Sequence, residues 1–438
     1  MVCPSTSYNL PMRLTAAFVV LVPILVLTLA TGVLAQNAAK LLAGSPPKSV
    51  TVPMTLDQGR VVIDVGLLLP DGSTERVRGW VDNGIPDLYI SSRVAKLMGL
   101  GVSCSGKVCT GTPQSPPVAL EILIGGMKIS LSAAKEIKVP VGDAPALAPG
   151  MSAEINIPST LLRNYDVLFN FPDRQFTIGL PGSLKFNGMK NKMLVNASNG
   201  LVQIPSKIDN KNCVLGLGLG SSINFLSEEL FDRLSNAHSN WPHMTGAIGP
   251  FNTGELPDEP KSKLMRVDRV QYGPLFLTDV AVAALPQDRM TLFAERTGFP
   301  TAGLLGSEAL MNYRVGLDYA RSTVYFDIGR TIRFPGFDVV GLILHPDDDN
   351  RFTILAVAGF GGSPSVPGVQ AGDYLVAVGD ISVVNSTLGQ VWSLLEGSPG
   401  QERKLTIERA GKQLTVTAKV QHFLGDAPEN GEVKGKSK

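Results

Sequence analysis

The chain of 438 residues carries 39 Lys and Arg against 38 Asp and Glu, a balance that excludes the basic faces of nucleic-acid binders and any strong pull on an acidic partner. Its length exceeds what one ordinary core organises, pointing to about two to four domains. A hydrophobic share of 44%, with 46 Gly, 31 Pro and only 6% aromatics, excludes fibrous and disordered classes and favours a body rich in strands and turns.

At the N-terminus, Arg13 precedes an apolar run from Leu14 to Leu34 that closes on Val33-Leu34-Ala35, which reads as a signal segment over 1–35. The run is also long enough to stay as a single membrane anchor, although Pro23 and the Ala-Thr-Gly stretch at 30–32 favour cleavage. In either case the body is expected outside the cytoplasm: periplasmic, in the cell envelope or extracellular. Contact with a membrane is expected only through an uncleaved segment. Residues 36–50, small and polar with Pro46-Pro47, read as a linker.

From Thr51 onward, short alternating runs punctuated by Gly and Pro predict strands at Thr51–Leu56, Arg60–Leu69, Glu75–Val81, Val118–Ile124, Met127–Ser132 and Lys135–Val141. A helical pattern runs from Arg93 to Gly99. The fold class expected is mainly β.

An internal repeat organises this part of the chain. Residues 157–178 align with 305–326 at an offset of 148, each reading as a short helix, an Asn-Tyr turn and a hairpin. Leu123-Ile124-Gly125-Gly126 aligns with Val270-Gln271-Tyr272-Gly273 at 147. At a slightly shorter offset, Leu217-Gly218-Leu219-Gly220, with the helical Glu228–Leu234 behind it, falls opposite Val81-Asp82-Asn83-Gly84. Two β lobes follow, at 51–183 and 195–330, joined by a linker rich in Gly, Asn and Lys over 181–199.

After Phe334 the pattern changes. Gly341-Leu342-Ile343-Leu344 opens a strand, and Gly372-Asp373 feeds a second through Leu375, Val378 and Gly379. Thr387–Glu396 predicts a helix with Leu388, Val391, Trp392 and Leu395 on one face, and Arg403–Arg409 with Gln413–Lys419 form a hairpin. A third domain spans 335–423. The charged, Gly-rich tail over 425–438 reads as disordered.

The two lobes resemble the pepsin and retropepsin superfamily of aspartic proteases, on Asp82-Asn83-Gly84 with its following strand and helix and on Gly303-Leu304-Leu305-Gly306. The C-terminal part resembles a PDZ domain. The first resemblance implies two pepsin-like lobes and a catalytic role for the turn Asp82, Asn83 and Gly84. It also places Cys104 and Cys109 where such enzymes carry a small disulfide loop, and a loop this short closes readily in an exported protein. The second implies capture of peptides or protein C-termini between the loop Val340, Gly341, Leu342 and the helix face Leu388, Val391, Trp392, by strand addition to the sheet.

Aspartic proteases need two carboxylates sharing a proton, one acting as base on water while the other polarises the scissile carbonyl. Here the degenerate partner of Asp82 is Gly218. Asn83 stands where a Thr or Ser hydroxyl commonly ties the two catalytic loops, and the Leu219 side chain offers no such bond. Approach of Glu154, Asp87 or another acid would restore a pair. The plain structural role of Asp82 is to cap an Asn-Gly turn.

Three functions follow from these residues. One is a degenerate, peptide-binding pseudo-protease, one an active aspartic endopeptidase using Asp82, and one a PDZ-based adaptor. No cofactor motif is present, and the scattered His238, His243, His345 and His422 lack metal-ligand spacing.

Overall fold

A computed structural model describes residues 47–105, 108–113, 120–141, 146–330 and 336–425. The expected signal segment over 1–35, nearly all of the expected linker over 36–50, residue 335 of the expected third domain and the tail beyond Gly425 lie outside the described residues, as do residues 118 and 119 of the predicted Val118–Ile124 strand.

In the first lobe, Arg60–Leu68 and Thr74–Asp82 form a long antiparallel pair, in which Val61, Ile63, Val65 and Leu67 alternate into the core. That alternation is what a half-buried strand demands, and each such side chain contributes about 1.5–3 kcal/mol when removed from water. The short strand Ile155–Pro158 runs parallel to Thr74–Asp82, pairing Ile157 with Val81 and Pro158 with Asp82. Asp82 is therefore the last residue of a strand, and the turn begins at Asn83.

The second lobe repeats this unit. Lys211–Gly218 lies parallel to Gly303–Gly306, pairing Leu217 with Leu305 and Gly218 with Gly306. The register makes Gly218 the structural counterpart of Asp82.

A six-stranded sheet joins the lobes in the order Ser49–Pro53, Gln175–Gly179, Asp166–Asn170, Tyr313–Asp318, Thr323–Ile328, Met189–Lys192. At its centre Asp166 faces Asp318, Leu168 faces Gly316 and Asn170 faces Arg314. The repeat offset of 148 carries Leu168 onto Gly316 and exchanges the outer pairs, so the seam has two-fold symmetry in register. The stretch 181–199, expected as a linker, contributes the strands Met189–Lys192 and Leu194–Val195 to sheets.

Further differences have local causes. Thr51–Leu56 divides into Ser49–Pro53 and Thr55–Asp57, because the Met54 N–H turns aside to the Arg174 carbonyl. A hairpin of Leu100–Ser105 with Val108–Pro113, rich in Ser, Thr, Gly and Cys, lacks the apolar alternation that announces a strand.

The C-terminal residues 336–425 form an antiparallel sheet in the order Leu342–Pro346, Phe352–Val357, Tyr374–Val378, Glu402–Arg409, Lys412–Lys419. Helix Leu388–Leu395 packs Leu388, Val391, Trp392 and Leu395 inward and begins with a capping box between Thr387 and Gln390. This body shares one hydrophobic cluster with the second lobe, in which Ile248, Phe251 and Leu256 pack with Phe337, Leu342 and Leu344. Among the described residues, no helix is long and apolar enough to cross a membrane.

Candidate functional site

Asp82 is delivered to the lobe junction by the strand end and is 2% exposed. Its Oδ1 accepts the Gly84 N–H at 2.8 Å, the bond that a tight Asn-Gly turn makes available. Burial outweighs that bond and pushes the carboxyl from 3.8 up to about 7. The charge of Glu255 adds to the rise, and Arg60 opposes it.

Backbone of the opposite lobe stands against this carboxyl. A Cβ on Gly220 would lie 2.5 Å from the Asp82 carboxyl carbon and Oδ1, so only glycine fits there. A Cβ on Gly218 would point to the Leu304 side chain at 3.0 Å, and one on Gly84 would lie 3.2 Å from the Gly218 Cα. The two turns are thus in close backbone contact, and no hydrogen bond links the Asp82 carboxyl to a second acid among the described residues. Glu154 is held by Arg93 at 2.7 Å and Asp87 by Lys138 at 3.1 Å.

The tie between the loops is kept, from one side. The Asn83 side chain donates through Nδ2 to the Leu217 carbonyl at 2.8 Å, and its Oδ1 accepts the Leu219 N–H at 2.6 Å. A primary amide carries both a donor and an acceptor, so one residue does what paired hydroxyls would share. Leu219 takes part through its backbone, a role its side chain does not reveal. Trp80 adds a third link, donating Nε1–H to the Gly220 carbonyl at 2.7 Å.

Beside the carboxyl lies a cavity of about 290 Å³. Asp82, Gly218, Ser221, Glu255, Arg289 and Arg296 line it, together with apolar groups such as Phe225 and Leu304. Glu255 Oε2 accepts from the Ser221 hydroxyl at 2.8 Å, and its Oε1 lies 3.7 Å from Arg60 Nε. Tyr319 is buried at the same junction, its phenol pushed up by burial and then by the Asp82 charge. Arg60, Glu255 and Tyr319 were not singled out by sequence. They come together only through the fold, and Glu255 sits in a loop that the repeat does not cover.

Cys104 and Cys109 face each other across the Leu100–Ser105 hairpin and are disulfide-bonded. The C-terminal residues expected to hold peptide ends are enclosed: Val340, Leu342, Leu388, Val391 and Trp392 are all at most 1% exposed. Gly341 is covered by Ser365 and the Phe423 ring, which a Cβ would meet at 2.3 and 2.5 Å. Val340 N–H donates to the Leu395 carbonyl and Leu342 N–H to the Val340 carbonyl, so these two loop donors are occupied. His238 stacks on Trp241 and lies 3.2 Å from Asp209. Among the described residues no three His, Cys, Asp or Glu side chains are grouped to hold a metal ion.

No family model matches the sequence, and no curated protein matches it. Among solved structures, the crystal structure of the aspartic proteinase from Irpex lacteus aligns with 64% of this chain and 97% of that one, at 11% identity and a TM-score of 0.37.

Proposed function

We propose that the chain is an exported, aspartic-protease-like protein that binds a peptide segment in its interlobe cavity without cleaving it. The observation that carries this reading is the pairing of Asp82 with glycine. Gly218 takes the position of the partner acid, and Gly220 packs on the carboxyl where the partner would have to approach. A lone carboxyl cannot divide the roles of acid and base between two groups. What remains is a cavity with an apolar wall, two arginines and two carboxyls, Asp82 and Glu255, that share no hydrogen bond, suited to an extended peptide. The export part of the proposal is supported by the apolar run after Arg13 and by the Cys104–Cys109 disulfide.

The C-terminal body is proposed to be of PDZ type. Its antiparallel sheet, its single capped helix and the strand opened by Gly341-Leu342 support that assignment, and peptides or protein C-termini are the partners it implies.

A second reading has one observation in its favour. Glu255 lines the same cavity as Asp82, so an endopeptidase could draw its second carboxylate from the second lobe's loop. A mixed peptide library incubated from pH 4 to pH 7 with the protein and with Asp82→Asn decides between the two. Retention of peptides without new termini supports the binding protein. Cleavage that disappears in Asp82→Asn and in Glu255→Gln supports the enzyme and overturns the first reading.

A further inference from the structure

Strand Leu342–Pro346 is the outer strand of its sheet, paired only with Phe352–Val357. The outward backbone groups of such an edge are a template for another strand. Here the outward N–H groups of Leu342 and Leu344 and the Leu344 carbonyl are spent inside the chain. Leu344 N–H donates to Asn252 Oδ1 at 2.9 Å, and Asn252 Nδ2 donates back to the Leu344 carbonyl at 2.8 Å. Leu342 directs its N–H to the Val340 carbonyl, and Pro346 has no N–H to offer. The Asn252 amide, one donor beside one acceptor, therefore occupies the edge as one residue of a neighbouring strand would.

Asn252 is fully buried and belongs to a loop of the second lobe that is braced from within. Glu259 Oε1 accepts the N–H groups of Thr253 and Gly254 at 2.9 and 2.8 Å, and its Oε2 accepts from Asn252 Nδ2 at 2.7 Å. Gln58 of the first lobe also donates to the carbonyls of Gly249 and Asn252. Apolar packing reinforces the contact, since Phe251 and Leu256 share a cluster with Leu342, Ile343 and Leu344. Three residues beyond Asn252, the same loop supplies Glu255, Leu256 and Pro257 to the wall of the Asp82 cavity.

We infer that residues 252–259 are a built-in occupant of the Leu342–Pro346 edge, so that release of Asn252 from Leu344 both opens the edge to an extended peptide and loosens the Glu255–Pro257 wall of the Asp82 cavity. The coupling is mechanical: Asn252 Nδ2 is one of three donors on Glu259, and Glu259 fixes the backbone leading to Glu255. A ligand that pairs with Leu344 must displace Asn252, and the two sites then respond together. The inference rests on the loop's own contacts and holds whatever the cavity binds.

Amide hydrogen exchange on the full protein and its Asn252→Ala variant tests this. Loss of a buried hydrogen-bond partner is expected to speed exchange at Leu344 about tenfold and to speed Gly254–Leu256 comparably. Leu405 and Ile407, in the centre of the same sheet, stay protected and report that the body remains folded. Unchanged exchange at Leu344, or faster exchange at Leu344 with Gly254–Leu256 unmoved, overturns the inference. If Leu405 and Ile407 lose protection, Asn252→Asp takes the place of Asn252→Ala. It keeps the acceptor for Leu344 N–H and removes the donors to Leu344 and Glu259. Faster exchange at Gly254–Leu256 alone then supports the coupling through Glu259, and no change there overturns it.

Discussion

The Asn83 side chain and the Leu217 carbonyl, 134 positions apart, are joined by a 2.8 Å hydrogen bond, and the same amide accepts the N–H of Leu219. One side chain thus spans the two turns that meet at Asp82. Asn83→Ala leaves a buried carbonyl and a buried N–H without partners and is expected to cost about 2–4 kcal/mol in urea unfolding. Asn83→Thr restores a hydroxyl and should recover part of that loss. Equal midpoints for Asn83→Ala and the parent would show that the tie carries no stability.

Gly220 and Gly218 sit two residues apart and should respond differently to a methyl group. At Gly220 the new Cβ would lie 2.5 Å from the Asp82 carboxyl, held in place by the Gly84 N–H, so Gly220→Ala is expected to destabilise by more than about 2 kcal/mol. At Gly218 the methyl meets only the end of Leu304 at 3.0 Å, and Gly218→Ala should cost less than about 1.5 kcal/mol. Thermal unfolding of the two variants side by side checks the order.

Four acids withdrawn from water, Asp82 and Glu259 buried and Glu308 and Glu396 half-buried, bias the protein towards acidic pH. Burial pushes Asp82 from 3.8, and Glu259, Glu308 and Glu396 from 4.5, each up to about 7. Between the ordinary and the raised values the folded chain holds more protons than the unfolded chain, so stability declines as pH rises through that window. The contribution is complete below about pH 4 and lost above about pH 7. Unfolding free energy should therefore be larger at pH 5 than at pH 8. Asp82→Asn should flatten the profile, with its largest relative gain at pH 8. A profile that rises from pH 5 to pH 8 and is unaltered by Asp82→Asn would contradict this assignment.

The first lobe holds the C-terminal helix by its N-terminus. Asp57 Oδ1 accepts from the Thr387 hydroxyl at 2.7 Å and from Gly389 N–H at 3.0 Å, satisfying a donor that a helix start leaves open. Asp57→Ala should weaken this contact by about 1–2 kcal/mol, whereas Asp57→Asn retains an acceptor oxygen. Gly389→Ala places a Cβ 2.3 Å from that oxygen and 2.5 Å from the Gln58 nitrogen, so the bodies must separate. Faster amide exchange at Gln390 and Val391 in Gly389→Ala than in Asp57→Asn is the expected readout.

Much of the architecture was legible because it rests on local periodicity. Alternation predicts a strand at Arg60–Leu69, found as Arg60–Leu68, and an apolar helical face predicts Thr387–Glu396, found as Leu388–Leu395. The repeat placed Gly218 opposite Asp82, and the parallel pairings with Gly306 and Pro158 reproduce that equivalence. The tie between the turns was hidden, because replacing a hydroxyl with the Asn83 amide looks like a loss until the geometry shows both of its groups engaged. Glu255 and Asn252 were invisible for another reason: their partners, Arg60 and Leu344, lie far along the chain, and no periodic pattern links residues that only the packed loop brings together. The enclosure of Val391 and Trp392 was equally unreadable, since an apolar helix face looks the same whether a ligand or the chain's own core covers it.

The sheet across the lobes divides evenly. Ser49–Pro53, Gln175–Gly179 and Asp166–Asn170 precede the exposed Lys185, and Tyr313–Asp318, Thr323–Ile328 and Met189–Lys192 follow it. Each half of the chain thus owns a complete three-stranded ribbon, and the Leu168–Gly316 seam is the isologous interface of a dimer built within one polypeptide. A backbone cut after Lys185 severs no strand, and the two fragments made separately are expected to find each other and rebuild the seam as two subunits would.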